Sequence, residues 1–284
     1  MKIYIVGISG MLGSKLFHEF ICSKKFKVRG STRNLPNVFK NSRRNIDFNC
    51  DVNNLELLNR NIKKFKPNII INCIGIIKQK IRSIENERNT FFINSVFPHE
   101  LHKISKVTKA RLIHFSTDCV FNGKVGNYTE KQEPNALDLY GLSKTIGEID
   151  SKNVLTLRTS IIGRELNNKK GLFEWFMSQE KKCQGFANCY FSGFPTYEIF
   201  NILLKIINKK NLSGIYHLSS HKISKYDLLK LISKVYQKKI KIYKNTKIKI
   251  DRSLNSKRLK KLLNYKSPSW EKLILEMYKN HGKI

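Results

Sequence analysis

Residues 2–20 read KIYIVGISGMLGSKLFHEF. Residues 2–6 form a short apolar, β-branched run that predicts a strand, and Leu12, Leu16, Phe17 and Phe20 recur at the spacing of a helix over residues 11–21. Between them Gly7, Gly10 and Gly13 mark a turn. A turn placed between strand and helix aims backbone N–H groups and the positive end of a helix dipole at one point, which suits a pyrophosphate. Glycine allows the tight turn and the close approach of the phosphate. The candidate cofactor contacts are therefore Gly7, Ser9, Gly10, Met11, Leu12 and Gly13. The spacing is G-x-x-G-x-x-G rather than G-x-G-x-x-G, so the reading rests on where the turn lies in the chain.

Downstream of the turn, residues 26–30 predict a second strand, and the chain continues Arg29-Gly30-Ser31-Thr32-Arg33. A unit built for NAD places an acid about 20 residues past the glycines to meet the ribose hydroxyls. None stands here, while Ser31 and Arg33 suit a 2′-phosphate, so NADPH is favoured and NADH stays open. The plainer alternative is that Arg33 is one more surface cation among 54 Lys and Arg.

The alternation continues with a helix over residues 54–65, a strand over 68–73, a helix over 90–105, a strand over 111–116, a helix over 140–150 and a strand over 154–158. Such alternation predicts an α/β fold, a doubly wound parallel sheet of Rossmann type. Beyond residue 160 the pattern loosens into helices at 172–179, 196–208 and 225–237, with short strands at 214–218 and 241–243. We expect a dinucleotide-binding domain over residues 1–160 and a smaller C-terminal substrate lobe over 161–284, with part of 193–218 returning to the first domain.

Composition narrows the function classes. With 284 residues and 40% hydrophobic content the chain can bury a substantial core. The net charge of +33 is spread along the chain, as in Lys238-Lys239-Ile240-Lys241-Ile242, and no aromatic-interleaved basic motif accompanies it. That disfavours nucleic acid and leaves a solvated surface, or a field that draws in anionic ligands. Six scattered cysteines without a C-x-x-C pair suggest neither zinc nor disulfides and fit a reducing cytoplasm. His99 and His102 lack a third ligand, so no metal is expected. The longest apolar run, residues 69–77, falls short of the roughly 20 residues that span a bilayer, and the glycines at 7, 10 and 13 break any signal-peptide pattern.

Tyr140-Gly141-Leu142-Ser143-Lys144 places a phenol and an ammonium at i and i+4 on one helix face. A lysine charge held near a tyrosine lowers its pKa from about 10 and fits it for proton transfer. Thr117, expected just past the end of a strand, would put a hydroxyl at the cofactor crevice. Thr117, Tyr140 and Lys144 are the candidate catalytic residues.

At these residues the chain resembles the extended short-chain dehydrogenase/reductase superfamily and, within it, the dTDP-4-dehydrorhamnose reductase family of sugar-nucleotide reductases. The matching stretches are residues 7–13, Asp51-Val52, Ser116-Thr117-Asp118 with Val120-Phe121, Glu130, Pro134, Tyr140-Gly141-x-Ser143-Lys144 and Gly147-Glu148. Later stretches are Arg158-Thr159-Ser160, Pro195-Thr196, Gly214-x-Tyr216-His217-Leu218 and Arg252-Ser253-Leu254. The resemblance implies hydride transfer from a nicotinamide to the C4 ketone of a nucleotide-linked 4-keto-6-deoxy sugar, in the making of surface polysaccharide. Tyr140 would protonate the oxyanion, Thr117 would bind the carbonyl, and Lys144 would tune Tyr140 and hold the nicotinamide ribose. Asp51 and Val52 would meet the adenine, and Cys73, Ile74 and Gly75 would pass beside the cofactor. Lys78, Gln79 and Arg252 are candidate contacts to the nucleotide sugar.

Two departures matter. Ile161 stands where rhamnose-forming reductases usually carry Trp, and Thr117-Asp118-Cys119 replaces the Thr-Asp-Glu of sugar-nucleotide 4,6-dehydratases, which argues against dehydration. GDP-fucose synthases place a catalytic Cys where Cys119 stands, so a bifunctional epimerase-reductase is an alternative, although residues 163–175 carry no His as second acid. The non-enzyme alternative is a sensor of NADP or of a sugar nucleotide. A homodimer is left open.

Overall fold

A computed structural model describes residues 1–81, 83–166, 170–280 and 282. β1 (Lys2–Val6) is buried from Ile3 onward, and α1 (Met11–Cys22) sets Leu12, Leu16, Phe17 and Phe20 into the same core. This is the strand, turn and helix expected of the glycine stretch. β2 (Lys27–Ser31) and β3 (Ile46–Asp47) follow. α2 (Leu55–Phe65) starts where the Asn54 side chain accepts the Glu56 N–H, and it stops at Lys66, which takes the left-handed conformation at φ 53°. β4 (Ile69–Asn72) is buried throughout.

The single helix expected over residues 90–105 is instead two. α3 (Ile84–Phe91) and α4 (Phe97–Val107) are joined by a π turn over Phe92–Val96. Within that turn the Asn94 side chain accepts the Ile76 N–H at 2.9 Å and donates to the Ile76 carbonyl at 3.0 Å, a contact with the loop after β4 that accompanies the widened turn. β5 (Arg111–Thr117), α5 (Leu139–Ile146) and β6 (Val154–Thr159) complete the alternation, with α5 ending at Ile146 rather than at residue 150.

After β6 come β7 (Ile161–Ile162), α6 (Leu172–Met177), β8 (Lys182–Phe191), β9 (Phe194–Pro195), α7 (Thr196–Ile207) and β10 (Gly214–His217). The chain closes with β11 (Ile223–Ser224), α8 (Lys225–Val235), β12 (Lys241–Asp251), α9 (Lys257–Leu263) and α10 (Trp270–Lys279). Seven strands pair in parallel in the order β3-β2-β1-β4-β5-β6-β10, a doubly wound sheet of Rossmann type. α1 and α7 cover one face over Ile5, Phe17, Ile199 and Leu203, and α2 and α4 cover the other over Tyr4, Val6, Ile62 and Leu101. Strand order reverses between β1 and β4, so a crevice opens beyond their carboxyl ends.

β10 brings the chain back to the sheet beside β6. β8, β11 and β12 form a three-stranded sheet in the order β11-β8-β12, against which α8 packs, and β7 pairs with β9 in a two-stranded sheet. β12 runs parallel to β8 as far as Asp251, well beyond the expected residues 241–243, and β8, α9 and α10 have no counterpart in the sequence pattern. No described helix is long and apolar enough to cross a membrane.

Candidate active site

The glycine turn is pinned to the sheet by two bonds, as the N–H groups of Gly7 and Ile8 both donate to the Ser31 carbonyl at the end of β2, at 3.0 and 3.1 Å. Gly7 takes φ +91°, and a side chain at Gly13 would run into the Gly7 carbonyl. The first position needs glycine for its dihedral, the other because α1 packs directly on the turn. The outer part of the turn, Ser9 to Leu12, borders a cleft of about 540 Å³.

Cys73, Ile74 and Gly75 line the same cleft from the end of β4, and Thr117 lines it from the end of β5. Tyr140 and Lys144 enter from α5. Asp138 caps α5 by accepting the Gly141 N–H at 2.9 Å. A side chain at Gly141 would strike Ala136 and the Cys119 carbonyl, so the glycine lets α5 press against the turn that follows Thr117. Helix and strand end are thereby brought together. Lys78, Gln79 and Arg252 line the cleft as well; the Arg252 Nε donates to the Phe121 carbonyl at 2.7 Å, and Lys78 pairs with Asp138 at 3.1 Å.

Five of the sequence candidates lie outside the lining of this cleft: Gly7 and Gly13, which shape the turn from beneath, and Arg33, Asp51 and Val52. Arg33 is exposed beyond the end of β2. The Asp51 carboxylate accepts the N–H of Asn53 at 2.9 Å, and Val52 is buried in the core beside Leu58 and Ile62. Val52 is thus a packing residue in this conformation.

The electrostatics differ from the spacing argument. Burial raises the Tyr140 pKa, the neighbouring Cys119 raises it further, and the Thr117 hydroxyl opposes them. The Lys144 Nζ donates to the Phe115 carbonyl at 2.8 Å. Burial in turn lowers the Lys144 pKa to about 8, against a raising influence from Glu148. At neutral pH the site therefore holds a protonated phenol beside a still charged but readily neutralised ammonium. The Thr117 hydroxyl donates to Asp118 at 3.2 Å and accepts the Cys119 N–H at 3.1 Å. Burial pushes the Cys119 thiol up to about 12, so it stays a thiol.

The cleft also holds residues that the sequence did not single out. Lys170, Tyr190 and Lys225 line it from the later part of the chain. Nothing in their local sequence marks them, because only the fold brings these segments over the sheet. Behind α5, Glu148 and Arg158 form a buried pair, with Arg158 donating from Nε at 2.8 Å and from a terminal nitrogen at 2.6 Å. Both stand in stretches that carry the resemblance, Gly147-Glu148 and Arg158-Thr159-Ser160, so a signal existed without a role.

Comparison with known proteins agrees with this architecture. Methionine adenosyltransferase 2 subunit beta of Danio rerio is 25% identical over 244 residues, covering 80% of this chain and 71% of that protein. The dTDP-4-dehydrorhamnose reductase of Aggregatibacter actinomycetemcomitans is 26% identical over 241 residues, covering 80% of this chain and 76% of its own. The crystal structure of dTDP-4-dehydrorhamnose reductase from Bacillus anthracis str. Ames in complex with NADP shares the fold with a TM-score of 0.80 over 99% of both chains, at 21% identity. The description of the RmlD substrate binding domain matches residues 1–282, from β1 through α10, and the chain therefore belongs to that family.

Proposed function

We propose that the protein is an NADP-dependent oxidoreductase that reduces the C4 ketone of a nucleotide-linked 4-keto-6-deoxy sugar, acting in the cytoplasm for polysaccharide biosynthesis. The observation that carries this reading is the meeting of Thr117, Tyr140 and Lys144 in one cleft with the glycine turn. Family membership and the likeness to the Aggregatibacter reductase support the reaction class.

The turn fits a dinucleotide, since its glycines leave the N-terminus of α1 open to a pyrophosphate. When bound, NADPH supplies the hydride. The chain contributes the rest. Residues 1–160 hold the cofactor: Gly7, Ser9, Gly10, Met11, Leu12 and Gly13 take the pyrophosphate, and Arg33 reaches the 2′-phosphate from its exposed place after β2. Asp51 and Val52 border the adenine, with Val52 acting through packing, and Cys73, Ile74 and Gly75 flank the nicotinamide. Lys144, charged at neutral pH, donates to the ribose hydroxyls. Tyr140 gives its proton to the oxyanion that forms at C4, a role its raised pKa suits because the phenol is protonated when needed. Thr117 turns its hydroxyl from Asp118 toward the carbonyl. Lys78, Gln79 and Arg252, with Lys170 and Lys225, face the nucleotide end of the substrate.

A second reading draws on the likeness to methionine adenosyltransferase 2 subunit beta, a protein named as the subunit of another enzyme. In it the cleft binds a dinucleotide without turning over a sugar. Incubation with NADPH and a panel of 4-keto-6-deoxy sugar nucleotides, followed by loss of absorbance, separates the two. Turnover of at least one sugar is expected; tight NADPH binding without turnover of any would favour the subunit reading. A Cys119→Ser variant is expected to keep reducing with the same product stereochemistry, and loss of an inverted centre would instead support an epimerase-reductase.

A further inference from the structure

β7 and β9 run side by side in parallel, Ile161 beside Phe194 and Ile162 beside Pro195. Beyond them the chain takes two directions, as Gly163 leads on toward α6 and Thr196 begins α7. α1 closes the notch between them with Lys15, and the space so formed is a cavity of about 190 Å³. It is separate from the active-site cleft, although Glu165 and Leu166 border both.

The polar groups of this cavity are mostly donors. Thr196 is 7% exposed, and its hydroxyl has no hydrogen-bond partner among the described residues. A Cβ at position 163 would stand 2.7 Å from that hydroxyl, so Gly163 leaves it uncovered. Lys15 is 4% exposed; its Nζ lies 2.7 Å from the Glu19 carboxylate but makes no hydrogen bond, and Glu19 is not part of the lining. Buried donors without acceptors are costly, and two of them facing one space call for an acceptor there. α7 adds a third source. Pro195, which precedes it, supplies no capping side chain, so the first-turn N–H groups of this 12-residue helix and the positive end of its dipole meet the cavity at Thr196 and Tyr197. Arg164 also lines the space, steadied by Glu174 at 3.3 Å. Glu165 is the one acid among the lining residues, and its carboxylate accepts the N–H groups of Lys170 and Gly171, both at 2.9 Å.

We infer that this cavity is a binding site for a small tetrahedral oxyanion of the phosphate class, held by the Lys15 Nζ, the Thr196 hydroxyl and the first N–H groups of α7, with Arg164 beside them. Converging donors with a helix dipole behind them select an anion. The volume selects a free ion over a nucleotide, since the apolar walls of Val38 and Met277 leave room for an ion with a few waters. An occupied site ties α1, the segment after β7 and α7 together behind the wall of the cleft, so the ion also stabilises the folded chain.

The test is calorimetric titration of the full chain with inorganic phosphate, with and without saturating NADPH. One site with a Kd on the order of 1 mM is expected, the scale of a few charge-assisted hydrogen bonds in water. The thermal midpoint should rise by about 3 °C at tenfold that concentration. Lys15→Met should weaken binding at least tenfold and Thr196→Val about fivefold, and each should shrink the thermal shift. Thr196→Val preserves shape, so the test does not depend on Lys15→Met folding. Lys63→Met, an exposed lysine on α2 away from the cavity, should change neither readout. Absence of saturable binding overturns the inference, as does binding that Thr196→Val leaves unmoved or that Lys63→Met weakens equally. Phosphate displaced by NADPH would mean that the ion sits at the glycine turn, and phosphate displaced by AMP with NADPH present would mean a site for esters; either result overturns the assignment of a free ion to this cavity.

Discussion

Tyr140 and Arg33 are assigned separate tasks, and single substitutions tell them apart. Tyr140→Phe removes one hydroxyl from the cleft, so sugar turnover is expected to fall by about 10²- to 10⁴-fold while NADPH affinity hardly changes. Comparing turnover with a fluorescence titration checks this, and retained turnover would sink the mechanism. Arg33→Ser removes the cation proposed to meet the 2′-phosphate, so KM for NADPH should rise about tenfold while that for NADH stays level, the scale of one charge-assisted hydrogen bond. An unchanged ratio would mean that Arg33 is an ordinary surface cation. Tyr140 and Lys144 were legible because i and i+4 on a helix is a local relation. The direction of the Tyr140 shift was not legible, because it depends first on burial, which local spacing does not encode.

Among elements, α7 shows how the chain is returned to the sheet. Its last turn and the loop after it offer three carbonyls, of Ile206, Lys209 and Leu212, and the buried Arg111 at the start of β5 donates to all three at 2.6 to 3.1 Å. A cation at a helix C-terminus is favoured by the dipole as well as by the bonds. Arg111→Met should therefore cost about 3 kcal/mol in urea unfolding, from buried carbonyls left without a donor. A loss of only a few tenths would show that water replaces the guanidinium. The elements that local pattern missed share one cause. β8 and β12 pair with each other across some 50 intervening residues, with long Lys-rich stretches exposed on β12. The break between α3 and α4 accompanies Asn94 reaching Ile76 and Ser143, two partners that no helical period predicts.

For the molecule as a whole, two buried histidines set the acid limit. Burial lowers His217 to about 4 from its ordinary 6.5, with the Arg158 charge adding to the effect, and His114 moves the same way. Since the folded values lie below the unfolded ones, the unfolded chain takes up protons first. The stability they contribute is whole above pH 6.5 and is lost as pH falls toward 4. For His217 this amounts to something on the order of 3 kcal/mol. The thermal midpoint should therefore drop between about pH 7 and pH 5, and less so in His217→Gln; a flat profile would refute the assignment. At this scale the division of information is plain. Residues 1–160 announced strand, turn and helix in order, and with them a parallel sheet, because hydrophobic period and glycine placement are local and a right-handed crossover leaves few ways to assemble them. Tyr140, Lys144 and the glycine turn came from the same source. Only tertiary structure brought Lys170, Tyr190 and Lys225 over the crevice, joined Glu148 to Arg158 and set the protonation of Tyr140 and Lys144. Those outcomes depend on burial and on distances between segments far apart in the chain, which period and spacing do not encode.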